Sequence, residues 1–412
     1  MGIQSKIKAV ARLAVRPAAL SAILRDLRRR PGVSGDDSEH LAAVMRWLCQ
    51  AQDVTRVGGV AIGWFLKDGW QKPYPETTGY IIPTFLAYGR VNRQQEYLDR
   101  AIRMGAWELS IQADSGAIPG RPGTGEHPLV FDTAQVMKGW IALYRETRET
   151  RWLDAAVRAA TWIASLQSAD GSWIRGSHKS IPHAYYTYVA WPLCEVAEVT
   201  GDQRFLTAAA QHVRWVLSLR DKNGWISRMA FSENADPLTH TVAYTYEGLL
   251  ECAPFLPKDQ TAEVLDCVRQ AMCRLRDSQG EADRNVPCRG RALPAFVQPS
   301  WRFVGGFSCL VGNVQFALIW LKLHRQLANE HLFAAAVAQI DEVKRRQDLA
   351  TNDADIRGAV PGASPFWAGY GSLGYPNWAA KFLADALMLK TAIADSEPAR
   401  PKLGSQNAAL PR

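Results

Sequence analysis

"WIASLQSADGSWIRG", residues 162–176, joins the end of an apolar helical run to a short loop with a glycine at its turn. Two other stretches line up with it, "WELSIQADSGAIPG" at 107–120 and "WVLSLRDKNGWISRM" at 215–229. Their leading tryptophans, Trp107, Trp162 and Trp215, stand 55 and 53 residues apart. Upstream of each lies a helical run, a short turn and a second helical run. The repeating unit is therefore a helical hairpin with a Gly-containing loop, and a fixed period of this length marks hairpins that bury their apolar faces on one another.

Carried along the chain, the pattern starts the first helices of successive pairs near Thr77, Asp132, His183, Thr239, Cys309 and Pro376. Their partners fall near 95–112, 151–167, 203–219, 258–277 and 329–347. The run at 376–392 has no partner after it, and the run at 38–53 has none before it. Pairing those two completes a sixth hairpin and removes the apolar end faces of an open array. First helices such as "VMKGWIALY" and "FALIWLKLH" are apolar nearly all round, whereas second helices such as "RWLDAAVRAATWIASLQ" carry charge on one side. The apolar set belongs inside and the amphipathic set outside. The expected fold is all-α, an (α/α)6 toroid over residues 34–394, with a basic leader at 1–33 and a disordered tail at 395–412.

The 412 residues carry a net charge of +8, which raises the question of a nucleic-acid partner. The position of the charge argues against one: residues 1–33 hold eight Lys or Arg and one Asp, leaving the body nearly neutral. Ile3, Ile7, Val10, Leu13 and Leu20 are interspersed with those basic residues. Such a leader suits peripheral association with an anionic membrane surface. It lacks the unbroken apolar core of a signal peptide, and no stretch approaches the ~18 apolar residues of a span. Seven scattered cysteines, none in a CxxC pair, read as reduced thiols of a cytoplasmic protein. No metal site or cofactor is expected, and the sequence leaves the oligomeric state open.

In a closed ring every inner helix starts at the same end, so six helix starts and the loops before them share one mouth. Those starts bring Glu76, Asp132, His183, Tyr186, His240, Asn313 and Asn377 there, with Tyr244 close behind. A helix start needs one cap. Two acids, two histidines, tyrosines and amides at matched places point instead to a shared polar pocket. The entering loops add Trp70, Arg121, Glu126, His127, Trp173, Arg175, Trp301 and Arg302. Indole faces stack on the apolar faces of sugar rings, while carboxylates, amides and arginines bind hydroxyls and uronate carboxylates. Trp107, Trp162 and Trp215 repeat inside helices and are expected only to pack.

"QSADGSW", with Gln167, Gly171 and Trp173, is similar to the QxxxGxW motif of the squalene-cyclase and prenyltransferase repeat. That likeness implies a helix-hairpin repeat and makes a terpene-cyclase-like or prenyltransferase-like protein an alternative. No DxDD acid motif for polyene chemistry is present, however. Residues 130–173 combine an inner-helix acid, a helical hairpin and an Asp-Gly turn. In this they resemble the (α/α)6-toroid carbohydrate enzymes: unsaturated glucuronyl hydrolases, toroidal glycan lyases and sugar epimerases. The resemblance implies a carbohydrate substrate, a uronate-containing poly- or oligosaccharide of bacterial surface-polysaccharide metabolism, with catalytic acids at Glu76 and Asp132.

Two chemistries follow. In a hydrolase, Asp132 donates the proton, its pKa raised by burial and like charge, and Glu76 is the base or electrostatic partner. In a lyase or epimerase, His183, His240, Tyr186 or Tyr244 abstracts and returns a proton beside a uronate carboxylate. Arg121, Arg175 or Arg302 then neutralises that carboxylate. The chain supplies both sets, and a non-catalytic glycan-binding toroid would use the same pocket without turnover.

Overall fold

The computed structural model describes residues 21, 23–24, 35–123, 127–279 and 292–396. The leader, apart from those three positions, lies outside them, as do Glu126 and the tail from 397 onward. The described residues form α1 (Asp37–Asp53), α2 (Pro75–Asn92), α3 (Gln95–Ile111), α4 (Val130–Thr147), α5 (Thr150–Ser165) and α6 (Thr187–Thr200). Then come α7 (Gln203–Ser218), α8 (Thr239–Cys252), α9 (Lys258–Asp277), α10 (Leu310–Leu327), α11 (Glu330–Lys344) and α12 (Asn377–Ser396). The even-numbered helices pack each on the next, and α12 returns to α2, which makes a closed inner ring. The odd-numbered helices lie outside, each against its hairpin partner, and α1 packs on α12 to complete the sixth pair. The (α/α)6 toroid is thus the observed fold. One helix start departs by four residues: His183 precedes a single 3-10 turn, Ala184–Tyr186, and α6 opens only at Thr187.

Burial follows the sequence pattern. In α8 every residue from Thr239 to Leu250 is buried, as an inner helix requires. In α5 burial is confined to Trp152, Ala155, Ala156, Ala159, Ala160 and Ile163, one stripe at helical spacing. The inner helices approach very closely where glycines face them. A Cβ on Gly79 would come within 2.5 Å of the Gln135 carbonyl oxygen, so α2 and α4 meet backbone to backbone. Four inner helices end in a left-handed residue, Arg93, Arg148, Gly201 and Ala328, which turns the chain at once into the outer helix. Asp202 and Asn329 then cap α7 and α11 by accepting backbone N–H groups.

The repeated glutamine and glycine have a specific task. Gln167 Nε2 donates to the carbonyl of Gly171 in its own turn at 3.0 Å and to Ala208 of α7 at 2.9 Å. Gln112 does the same to Gly116 and Ala155, both at 3.0 Å, and Gln52 to Gly58 and Arg100. One amide therefore ties each turn to the next outer helix. Gly171 sits at φ +90°, and a Cβ there would stand 2.5 Å from the Gln211 carbonyl oxygen. Arg220 takes the glutamine's place in the fourth copy.

The loops that enter the inner helices are the long ones and carry seven short strands: β1 (Gly63–Phe65), β2 (Gly69–Trp70), β3 (Phe296–Val297), β4 (Phe303–Val304), β5 (Ser308–Cys309), β6 (Ala363–Ser364) and β7 (Gly374–Pro376). All pairings are antiparallel, in the order β2-β1-β7, β3-β4 and β5-β6. The β1–β7 pairing joins the first and last entry loops and fastens the ring at its seam. Trp47 and Gln50 of α1 reinforce the seam by donating to Asp355 at 2.9 and 3.0 Å. The six described cysteines are free thiols. Among the described residues no helix is long and apolar enough to cross a membrane.

Candidate active site

A cavity of about 730 Å³ opens at the end of the ring where the inner helices begin. Glu76 is the second residue of α2, placed by Pro75 at the first helical position, and Asp132 is the third residue of α4. Both acids line this cavity. Asp132 is 2% exposed, whereas Glu76 keeps a partial opening to the cavity. The Tyr74 hydroxyl stands between them: it donates to Asp132 Oδ2 at 3.0 Å and also hydrogen-bonds Glu76. A phenol has one hydrogen, so it cannot donate to two carboxylates at once. When Asp132 holds a proton, Asp132 donates to the phenol oxygen and the phenol donates to Glu76.

Burial favours the protonated form of both carboxyls. It pushes Glu76 up to about 7, against the opposing pull of the Tyr74 hydrogen bond and the Arg121 charge. Asp132 rises well above the carboxylate range, because the Glu76 charge adds to its deeper burial. The two carboxyls thus share one enclosed corner of the cavity in which the protonated form of each is favoured over the charged one.

The cavity gathers Arg121, His127, Tyr186, His240 and Tyr244 with the two acids. His240 places Nδ1 2.6 Å from Gln315 Oε1. An amide oxygen only accepts, so Nδ1 carries the hydrogen and Nε2 keeps its lone pair. Burial lowers His240 to about 4 and keeps it neutral. Its ring lies against those of Tyr244 and Tyr370, with centroids at 4.4 and 5.4 Å. Tyr186 accepts the His178 backbone N–H at 3.0 Å, and burial raises its pKa.

The other expected residues lie elsewhere. His183 is 1% exposed, with its two ring nitrogens against the carbonyl oxygens of Ala230 at 3.1 Å and His178 at 2.9 Å. It braces two loops behind the cavity wall. Trp70 donates to Asp355 Oδ1 at 2.9 Å, Trp173 to the Ile163 carbonyl at 3.0 Å and Trp301 to the Asn223 carbonyl at 3.2 Å. All three indoles turn inward into packing. Arg175 donates to the Ser165 carbonyl and Arg302 to Gln298 Oε1, each at 3.1 Å. Asn377 spends its amide on Ala61 and Thr77 at 2.8 Å. Asn313 is fully buried, and turning its amide so that the nitrogen faces the Cys309 carbonyl gives it a partner at 3.0 Å.

Sequence reasoning passed over Tyr74, Tyr80, Lys179 and Trp378, which also line the cavity. Tyr80 follows Glu76 by four residues on α2, so it shares that helix face, and this spacing was available in the sequence. Tyr74 sits just outside the helix and leaves no periodic signal. Among the described residues no group of three His, Cys, Asp or Glu side chains is arranged to hold a metal ion.

The chain matches no family model and no curated protein by sequence. Solved structures do match. An unsaturated glucuronyl hydrolase specific for heparin aligns at a TM-score of 0.66 and 13% identity, over 88% of this chain and 99% of that one. A polysaccharide lyase aligns at 0.61 and 12% identity, over 89% and 100%. A cellobiose 2-epimerase from Bacillus thermoamylovorans aligns at 0.61 and 12%, over 85% and 97%. At such identities the likeness establishes the fold alone: this chain has the (α/α)6 toroid on which those carbohydrate-active enzymes are built.

Proposed function

We propose that the protein is a glycan-processing enzyme of hydrolase type that acts on uronate-containing oligo- or polysaccharides. The observation that carries this reading is the enclosed acid pair around Tyr74, with Asp132 buried against the Tyr74 hydroxyl and Glu76 open to the same cavity. Asp132 protonates the reacting sugar. Glu76, ionised above about 7, accepts a proton from water or stabilises the positive charge that builds on the ring. Arg121 and Lys179 line the same cavity and suit a uronate carboxylate. The tyrosines and Phe131 supply apolar faces for the ring. The structural neighbours support the substrate class, since they include unsaturated glucuronyl hydrolases and a polysaccharide lyase.

A second reading, lyase or epimerase, draws on His240, which is neutral and has its tautomer set by Gln315 so that Nε2 can abstract a proton. One experiment separates the two. The purified protein is incubated with unsaturated uronyl oligosaccharides and, separately, with intact uronate polysaccharides, and ultraviolet absorbance of the conjugated double bond is followed. Loss of absorbance in the first arm supports the hydrolase. A gain in the second supports the lyase. No change in either arm, with no glycan binding by calorimetry, overturns the glycan reading.

A further inference from the structure

A second polar layer crosses the inner ring beneath the acid-pair cavity. Lys138 stands on α4 six residues beyond Asp132, about 9 Å further along the helix axis. Around it the charged groups have found one another. Lys322 Nζ meets Glu247 Oε1 and Glu251 Oε1 at 2.6 Å each. Lys381 meets Asp385 Oδ2 at 2.6 Å, and Arg145 meets Glu195 Oε1 at 3.0 Å. Lys138 differs: among the described residues it makes neither a hydrogen bond nor an ion pair. Its Nζ lies instead against ring faces, 3.3 Å from the centroid of Trp191 and 4.8 Å from that of Tyr188. Lys322 Nζ stands 5.6 Å from the same indole. In the ring α8 separates α6 from α10, so these side chains meet across the lumen.

The layer opens away from the acid pair. One turn beyond Lys138, Trp191, Glu247 and Lys381, on their own helices, stand Ala142, Glu195, Glu251 and Asp385. Residues four apart share a helix face. Lys138 is 7% exposed, whereas all four residues one turn on are partly exposed. Solvent therefore reaches the lumen from the end where the inner helices finish. The acids along this passage are already paired, Glu195 with Arg145, Glu251 with Lys322 and Asp385 with Lys381. The passage thus presents no unpaired acid to draw an ionic ligand.

An ammonium held on ring faces without a carboxylate of its own has lost its water at a cost. Burial, with the Lys381 charge next, brings Lys138 down to about 7, so near neutrality about half of it is free amine. Lys322 shows what a partner does: against the same burial, Glu247 and Glu251 keep it charged. A desolvated amine beside another cation is a nucleophile towards carbonyl carbon.

We propose that Lys138 captures a small uncharged aldehyde or ketone as an imine, in a lumen site entered from the end opposite the acid pair. Nζ bonds to the carbonyl carbon, and the π pair moves to oxygen, which takes up the proton that nitrogen gives up. The carbinolamine then loses water and leaves C=N, so amine and carbonyl become imine and water with no oxidant or reductant. A protonated imine keeps its positive charge over the Trp191 face. The Tyr188 hydroxyl, buried without a partner among the described residues, is a donor in the same layer for the departing oxygen. This inference does not rest on the glycan reading.

The test traps the imine. The protein is incubated at pH 7 with acetaldehyde and cyanoborohydride, and ethylated lysines are located by peptide mass spectrometry. Lys138 is ethylated at least about tenfold faster than the exposed Lys67, Lys72 and Lys258, because an ordinary lysine holds under ~0.1% free amine at that pH. Its rate levels off above about pH 8, whereas theirs continues to climb. Lys138→Met loses this product and keeps the surface labelling. Glyoxylate, an aldehyde that carries a carboxylate, shows no preference for Lys138; the same preference with glyoxylate would overturn the uncharged ligand class. Lys138 left unlabelled by acetaldehyde, or labelled no faster than the three surface lysines, would overturn the proposal. That comparison is made within the parent and holds even if the variant fails to fold.

Discussion

Replacing Tyr74 by Phe removes one hydroxyl and nothing else from the acid pair. Tyr74 is 7% exposed, so water does not readily take the vacated place. Its hydrogen bond is the larger of the two pulls, with the Arg121 charge, that hold Glu76 as low as about 7 against burial. A hydrogen bond to a charged group contributes about 1.5–3 kcal/mol, and one pKa unit corresponds to about 1.4 kcal/mol. The variant should therefore raise Glu76 by roughly one to two units. The carboxylate of Glu76 is the form the mechanism uses, so activity is lost as pH falls through the Glu76 pKa. The acid limb of kcat/KM then moves upward by the same amount, and the rate near pH 7 falls by about five- to fiftyfold. Infrared titration of the carboxyl bands, with Glu76→Gln to assign them, reads the shift directly and requires no substrate. A Glu76 band that titrates at the parental pH in Tyr74→Phe would refute the role given to the phenol.

Two further outcomes are expected. Glu108 on α3 is fully buried, and neither carboxyl oxygen has a hydrogen-bond partner among the described residues, so burial raises its pKa well above that of an ordinary glutamate. Its ionisation penalty is absent below about pH 4.5 and grows as pH rises; Glu108→Met should stabilise the protein in chemical denaturation near pH 8, with the gain shrinking toward pH 4.5. Gly171→Ala forces a side chain into φ +90° and against the Gln211 carbonyl, and should cost at least about 1–3 kcal/mol in the same assay.

The ring was legible because its evidence is periodic. Trp107, Trp162 and Trp215 fix the repeat, and the unpaired runs at 38–53 and 376–392 announce closure, which α1 and α12 carry out. Glu76, Asp132 and His240 were legible as cavity residues because a closed ring gathers the starts of its inner helices at one end. Loop side chains were less legible, since no period says which way a loop residue turns. Trp173 and Trp301 read as sugar-stacking surfaces, yet their indole N–H groups bond the Ile163 and Asn223 carbonyls and their rings pack inward. His183 was drawn toward the mouth by its position before α6, and the 3-10 turn that follows it directs its ring into the wall. Tyr74 acts through a contact with Asp132, 58 residues away, which a single sequence does not encode in any local pattern.

The central claim is that Asp132 supplies a proton to a glycan rather than merely starting a helix, and Asp132→Asn separates those roles. Asparagine keeps the volume and an oxygen able to cap, so the helix start loses at most about 1 kcal/mol. The decisive measurement is turnover of an unsaturated uronyl disaccharide by parent and variant, with thermal melting as the control for folding. The account predicts a variant that melts close to the parent and loses roughly 10²–10⁴ in kcat. A variant that melts like the parent and retains its turnover would contradict it.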